Sequence, residues 1–442
     1  MLLKYPANGW TTSFVNRLGR KFIQDVTVLT TANIVGAGLS FLQGMLAAIW
    51  LGPEQYGVAA LTMSCPGIIY TLFDARSSEA LVRYISKYHV GAERGRALAV
   101  CKLGYTVDVA MALAAFFFIS ITAKWSAQHI IHHPETAGMV IAYGAAFIPQ
   151  ALTGASNAVL TSLGRFPAIA WLSTATAILR TSLVLGLVLN GWGASGVVLG
   201  NAIATAVNGL LYGCVAWSVC RRTWSALPIR ADLRALDGQF REIFSFLACS
   251  DLNSLVGILP RQMDLVILGY LQGPEQAGWY KLAKRLAGAV HYVAAPLQSV
   301  IYPELSRRHD LGGVKSVRER AGQLLIRIGI PVGFGALGGA LLLPCLLPHI
   351  FGVAYQPSIV AAQLLFLGSA AGAALFWLRP AYFALGRIKA WTVITVAAAV
   401  LSALGFLVIT PVCGHKGMAG WSASMVLLSS GSAVAYIRRA WR

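Results

Sequence analysis

The stretch GPEQYG, Gly52–Gly57, has a near-copy in GPEQAG, Gly273–Gly278, and the two lie 221 residues apart in a chain of 442. A Gly-Pro pair by itself marks only a turn. The flanks carry more. Each copy follows one apolar run and precedes another, as AAIWLGPEQYG in the first half and VILGYLQGPEQAG in the second. Each following run ends in a basic, aromatic tag, LVRYISK at Leu81–Lys87 and VIYPELSRR at Val300–Arg308. The repeating unit is therefore at least a pair of apolar segments joined by a tight turn, used once per half.

Composition says where such segments reside. Hydrophobic residues make up 57% of the chain and charged residues 12%, against about 25% charged in typical soluble domains. Twelve apolar runs, each long enough to cross a bilayer, fall near 28–50, 57–80, 101–122, 137–160, 167–190, 195–219, 244–270, 277–301, 322–350, 358–384, 390–410 and 417–437. This predicts an all-α integral membrane protein of about 12 transmembrane helices. An even number of spans per half makes the repeats parallel. The expected architecture is thus two six-helix lobes related by pseudo-two-fold symmetry around a central cavity. Its parts are a cytoplasmic segment over 1–27, an N-lobe over 28–220, a polar cytoplasmic linker over 221–243 and a C-lobe over 244–442. The first segment lacks the run and cleavage site of a signal peptide. It can form an interfacial helix with Trp10, Phe14 and Leu18 facing lipid.

The net charge of +19 would point to nucleic acid in a soluble chain. Its distribution argues against that partner. With a cytoplasmic N-terminus, 25 of the 35 Lys and Arg fall in the inside loops and termini, eight sit within spans, and only Lys124 and Lys416 lie outside. That asymmetry is the positive-inside rule, and it places both termini in the cytoplasm. The seven cysteines lie singly, without a CxxC pair, and read as small apolar residues.

Ionisable groups inside spans are the chemically informative ones. A Lys or Arg at mid-bilayer costs about 2.5–3.5 kcal/mol even on lenient scales, so these side chains are expected to face a wet cavity, pair with acids or reach an interface. The cations are Arg76, Arg180, Arg261, Lys281, Lys284 and Arg285, with Arg327 and Arg379 nearer span ends. The acids are Asp74, Glu79, Asp108, Asp251 and Asp264. Lys281, Lys284, Arg285, Gly288, His291 and Gln298 follow helical steps and share one face. Polar stripes recur at Gln150, Thr153, Asn157 and Thr161, and at Asn201, Thr205, Asn208 and Tyr212; these read either as cavity lining or as glue between helices. Arg261 and Asp264, three apart, can pair. In that reading a proton or sodium ion neutralising Asp264 frees Arg261 for an anion, and Asp74, Asp108 and Asp251 are further ion-coupling candidates. The His129, His132, His133 and Glu135 group reads as interfacial loop chemistry rather than a metal site, and no cofactor is expected.

The runs IWLGPEQYGVAAL…LFDARSSEALVRYISKYH and MDLVILGYLQGPEQAGWYKLAKRLAG…LQSVIYPELSRRH resemble the polysaccharide-transporter branch of the multidrug/oligosaccharidyl-lipid/polysaccharide exporter superfamily. The resemblance is clearest over 40–120 and 244–325. It rests on both GPE turns, Asp264 and the Arg83–Tyr84 tag. Arg76 stands where the family pattern has Gly, and twelve spans stand where many such flippases have fourteen. The resemblance implies an oligosaccharide on a polyprenyl diphosphate as substrate, flipped from the cytoplasmic to the outer leaflet of the inner membrane by alternating access. It also implies membrane lipids, a polysaccharide polymerase and other export proteins as partners. A diphosphate suits Lys and Arg. A cation-coupled multidrug antiporter would call for an acidic cavity. A membrane glycan polymerase or transferase would call for larger outer loops or a catalytic motif, and none is present.

Overall fold

The computed structural model describes residues 9–74, 77–236 and 262–440. Among them all regular structure is helical. Helix α1 (Gly9–Phe73) is 65 residues long, more than twice the ~20 that a bilayer requires. It is broken at Gly52, whose φ of 73° and ψ of 173° fall where essentially only glycine is found. Pro53 then opens the next helix with its φ preset. Helix α2 (Ser78–Val90), α3 (Arg94–His129), the run α4 (Ala137–Ala145), α5 (Phe147–Gln150) and α6 (Leu152–Ser162), then α7 (Phe166–Leu189) and α8 (Gly193–Trp224) complete the first half. In the second half, α9 covers 262–272. It is followed by α10 (Pro274–Leu324), α11 (Ile330–Phe351), α12 (Ser358–Ala374), α13 (Leu378–Ala384) and α14 (Ile388–Ala440). Helices α10 and α14 are again over-long and break at Gly313 and Gly414.

Counted across those breaks, the helices make eleven crossings, and α9 is the end of a twelfth that begins outside the described residues. Two local readings change. The first crossing is continuous with a helix starting at Gly9, rather than preceded by a separate interfacial helix. The second crossing ends at Phe73 rather than near residue 80. Asp74 therefore sits at a helix end, and Glu79 lies in the first turn of α2, a 13-residue amphipathic helix.

The duplication runs through the whole chain, not only its turns. Left-handed residues pair off as Gly52 with Gly273, Ala92 with Gly313, His132 with Gly352, Gly164 with Gly386, and Gly193 with Gly414. The separations within these pairs are 221, 221, 220, 222 and 221 residues. A fixed offset through five chain reversals means that one lobe is built twice.

Buried side chains show how the lobes meet. Near the GPEQ turns they share one core, in which Ala48, Leu61, Ile131 and Val184 of the first half join Leu268, Tyr280, Leu347 and Tyr355 of the second. At the opposite, basic end the cores are separate. One holds Tyr84, Tyr88, Val100 and Leu172; the other holds Leu305, Val317, Phe376 and Tyr382. Shared packing at one end and divided packing at the other makes a cleft that widens toward the basic end. Gly67 and Gly288, on its two sides, both face open space. The outward faces carry exposed Phe117, Ile121, Leu341 and Val408, as a lipid-facing surface requires.

Candidate functional site

The cleft is closed by the two GPEQ motifs themselves. A Cβ on Gly57 would collide with the Pro274 carbonyl, and a Cβ on Gly278 would collide with the Pro53 carbonyl. The contact is reciprocal, as a two-fold axis demands. The last glycine of each motif therefore lets the backbones of α1 and α10 touch. The glutamines behave alike: Gln55 packs beside Gly193, while Gln276 packs beside Gly414 and accepts from the His415 amide at 3.0 Å. Glu54 lies 3.8 Å from His133, which bonds Glu135 at 2.8 Å, and His132 contacts the Gly269 carbonyl at 3.2 Å.

Inside this seal, α9 and α10 place a buried carboxylate among cations. Asp264, 4% exposed, accepts from the Tyr280 hydroxyl at 2.9 Å and from the Leu265 amide at 2.7 Å. Its Oδ2 also ion-pairs with Lys284. Tyr280 and Lys284 are four apart and so share one face of α10. The sequence pairing of Asp264 with Arg261 gives way to this non-local one; Arg261 itself lies outside the described residues, as do Asp251 and Arg76. Arg285, one residue on, turns to the other lobe. Its guanidinium lies on Gly44 of α1, where a Cβ would collide with it, and donates to the Ser40 carbonyl at 3.1 Å. Lys281 is partly buried one turn nearer the seal, while Gly288, His291 and Gln298 continue toward the basic end with His291 exposed.

The repeat offers an internal comparison. At the 221-residue offset, Lys281, Lys284 and Arg285 correspond to Ala60, Met63 and Ser64, and Asp264 corresponds to Gln43. The backbone is duplicated but the charge is not: the ion-bearing face belongs to one lobe. Gln43 is buried, and its side-chain carbonyl has no hydrogen bond among the described residues.

The N-lobe polar residues divide. Asn208 donates to Gln150 at 3.1 Å and Thr153 at 3.4 Å, and Thr176 donates to Asn208 at 3.0 Å. These side chains tie α5, α6, α7 and α8 together, so Gln150 and Asn208 are glue between helices rather than cavity lining. Asn201 caps its own helix carbonyl at Val197, 2.8 Å away. Asn157, by contrast, opens onto a partly enclosed crevice of about 460 Å³ between α1, α6, α7 and α8. Arg180, on α7, has a buried Nε without a hydrogen bond among the described residues. Asp108 accepts from buried Ser77 at 2.8 Å, and both Asp74 and Asp108 act electrostatically on Tyr70. Sequence reasoning missed Gly44, Gly57, Gly278 and Tyr280. The shared final glycine of the GPEQ copies, and the four-residue step from Tyr280 to Lys284, were the available signals.

Known proteins share this arrangement. The chain is 22% identical over 348 residues to the inner membrane protein YghQ of Escherichia coli K12, covering 77% of this chain and 96% of that one. The fold matches the lipid II flippase MurJ in an inward closed conformation with a TM-score of 0.71 at 12% identity, covering 93% of this chain and 87% of that one. It matches an inward-facing multidrug resistance MATE family transporter of the MOP superfamily with a TM-score of 0.70 at 14% identity, covering 90% and 94%. These likenesses are of fold. Matched from residue 22 to residue 309, more than half its length, the chain belongs to the polysaccharide biosynthesis protein family.

Proposed function

We propose that the protein flips a polyprenyl-diphosphate-linked oligosaccharide from the cytoplasmic to the outer leaflet of the inner membrane, with the GPEQ end outside and both termini in the cytoplasm. The observation that carries this reading is the sign and position of the charge. Lys281, Lys284 and Arg285 stand against one described carboxylate, Asp264, on the side of a cleft that widens toward the basic end. Cations in a low-dielectric, partly wetted cleft favour an anionic headgroup, and a diphosphate supplies oxygens that Lys and Arg bind well. The polyprenyl tail needs no enclosed path, because it can stay in lipid while the head passes between the lobes. Transport rather than catalysis is the activity. A proton or sodium ion acting at Asp264 would loosen Lys284 and so link the ion to the headgroup. A multidrug cation antiporter of the same fold needs the opposite sign in the cleft.

Leaflet exchange of a fluorescent lipid-linked oligosaccharide in proteoliposomes tests this. The wild-type protein should accelerate exchange, and Lys281→Ala or Arg285→Ala should slow it at least tenfold while the protein still inserts and folds. Unchanged rates in both variants would sink the cationic-cleft mechanism, and export of an organic cation instead would favour the antiporter.

A further inference from the structure

The N-lobe crevice has no counterpart in the C-lobe, although the backbone that makes it is duplicated. It is lined by Asn33 of α1, Asn157 and Thr161 of α6, Phe166 and Ser173 of α7, and Tyr212 of α8. At offsets of 221 to 222 residues, Thr161 corresponds to Phe383, Ile169 to Trp391, and Tyr212 to Ala433. Phe383 and Trp391 pack against the C-lobe core, and the Trp391 ring lies 5.4 Å from that of Tyr382. The duplicated helices therefore pack without a crevice when large side chains fill it. The N-lobe opening is a property of its residues, not of the fold.

Its chemistry differs from that of the α10 face. The lining holds two carboxamides, hydroxyls and two aromatic rings, and no charged side chain. Its volume of about 460 Å³ lies within the ~300–1,000 Å³ of small-molecule sites. Amides and hydroxyls beside aromatic faces match the hydroxyl-rich edges and apolar C–H faces of a pyranose. The crevice also sits at a different depth. Asn157 is seven residues from Gly164 at the basic end, about 10 Å, whereas Lys284 is 11 residues from Gly273 at the other, about 16 Å.

We infer that this crevice is the subsite for uncharged sugar residues of the substrate, so that the C-lobe holds the diphosphate and the N-lobe reads the glycan. The inference rests on the flippase reading above. In the conformation sealed at the GPEQ end, the diphosphate lies deeper than the sugar, and the glycan trails toward the basic end.

Binding to the full-length protein in nanodiscs tests this, with two probes: bare polyprenyl diphosphate and the same lipid carrying a neutral oligosaccharide extracted from the source cells. The variant Thr161→Phe/Ile169→Trp gives the N-lobe the C-lobe's filling. It should weaken the glycosylated lipid about tenfold and leave the bare lipid within twofold. Should that variant not fold, Asn157→Ala/Ser173→Ala removes the hydrogen bonds without filling the space and should weaken the glycosylated lipid several-fold with the same selectivity. Equal weakening of both lipids, or of neither, overturns the subsite. The diphosphate reading fails separately, if Lys284→Ala and Arg285→Ala leave bare-lipid affinity unchanged.

Discussion

A carboxylate buried among helices is costly unless donors replace its water. Asp264 has the Tyr280 hydroxyl, the Leu265 amide and the Lys284 ammonium. Asp264→Ala should therefore lower stability by about 1–3 kcal/mol, less than a fully buried pair because the Lys284 side chain is 42% exposed. Thermal unfolding in detergent measures the loss. Asp264→Asn combined with Lys284→Met should recover most of it without restoring transport; if the double variant is no more stable than Asp264→Ala, the pair is not what holds α9 to α10. That Asp264 and the α10 cations matter was legible from their cost inside an apolar run. The partner of Asp264 was not legible. Sequence spacing offers only neighbours on the same helix, such as Arg261, whereas Lys284 is brought in by the rotation of α10 against α9. The same limit explains Gln150 and Asn208: a stripe shows that polar groups share a face, not whether that face meets water or another polar stripe.

At the scale of elements, α1 and α10 carry most of the architecture. Both crossings and their breaks were readable, since Gly followed by Pro in the middle of apolar sequence stops one helix and starts another. The end of the second crossing was not readable at the same resolution, because the hydropathy of 57–80 falls off gradually while the helix stops at Phe73. Close approach was also hidden. Gly44 looks like any small residue of a membrane helix, yet it makes the notch that receives Arg285 from the other lobe. Gly44→Leu should displace the guanidinium and reproduce the transport defect of Arg285→Ala in the leaflet-exchange assay. A normal rate in Gly44→Leu would mean that the position of Arg285 against α1 is immaterial.

At the scale of the molecule, alternating access requires the GPEQ contact to part. Gly57→Cys together with Gly278→Cys, after replacement of the native cysteines, should cross-link readily because each glycine lies against the backbone of the other motif. The oxidised protein should cease exchange and regain it on reduction. Continued exchange by the fully cross-linked form would show that transport does not need this end to open. The doubled lobe was legible from one hexapeptide and its flanks; the unequal filling of the lobes was not, since it depends on which duplicated positions face each other across a bundle.

The confinement of Lys281, Lys284, Arg285 and Asp264 to one lobe has a directional consequence. A cleft with true two-fold symmetry presents the same surroundings to a ligand and to that ligand turned end for end, so an elongated molecule would enter in two equivalent poses. With Ala60, Met63 and Ser64 facing the cations, the two poses are no longer equivalent. The duplicated scaffold supplies a hinge that closes alike on both sides, and the unequal side chains make it hold its cargo only one way round.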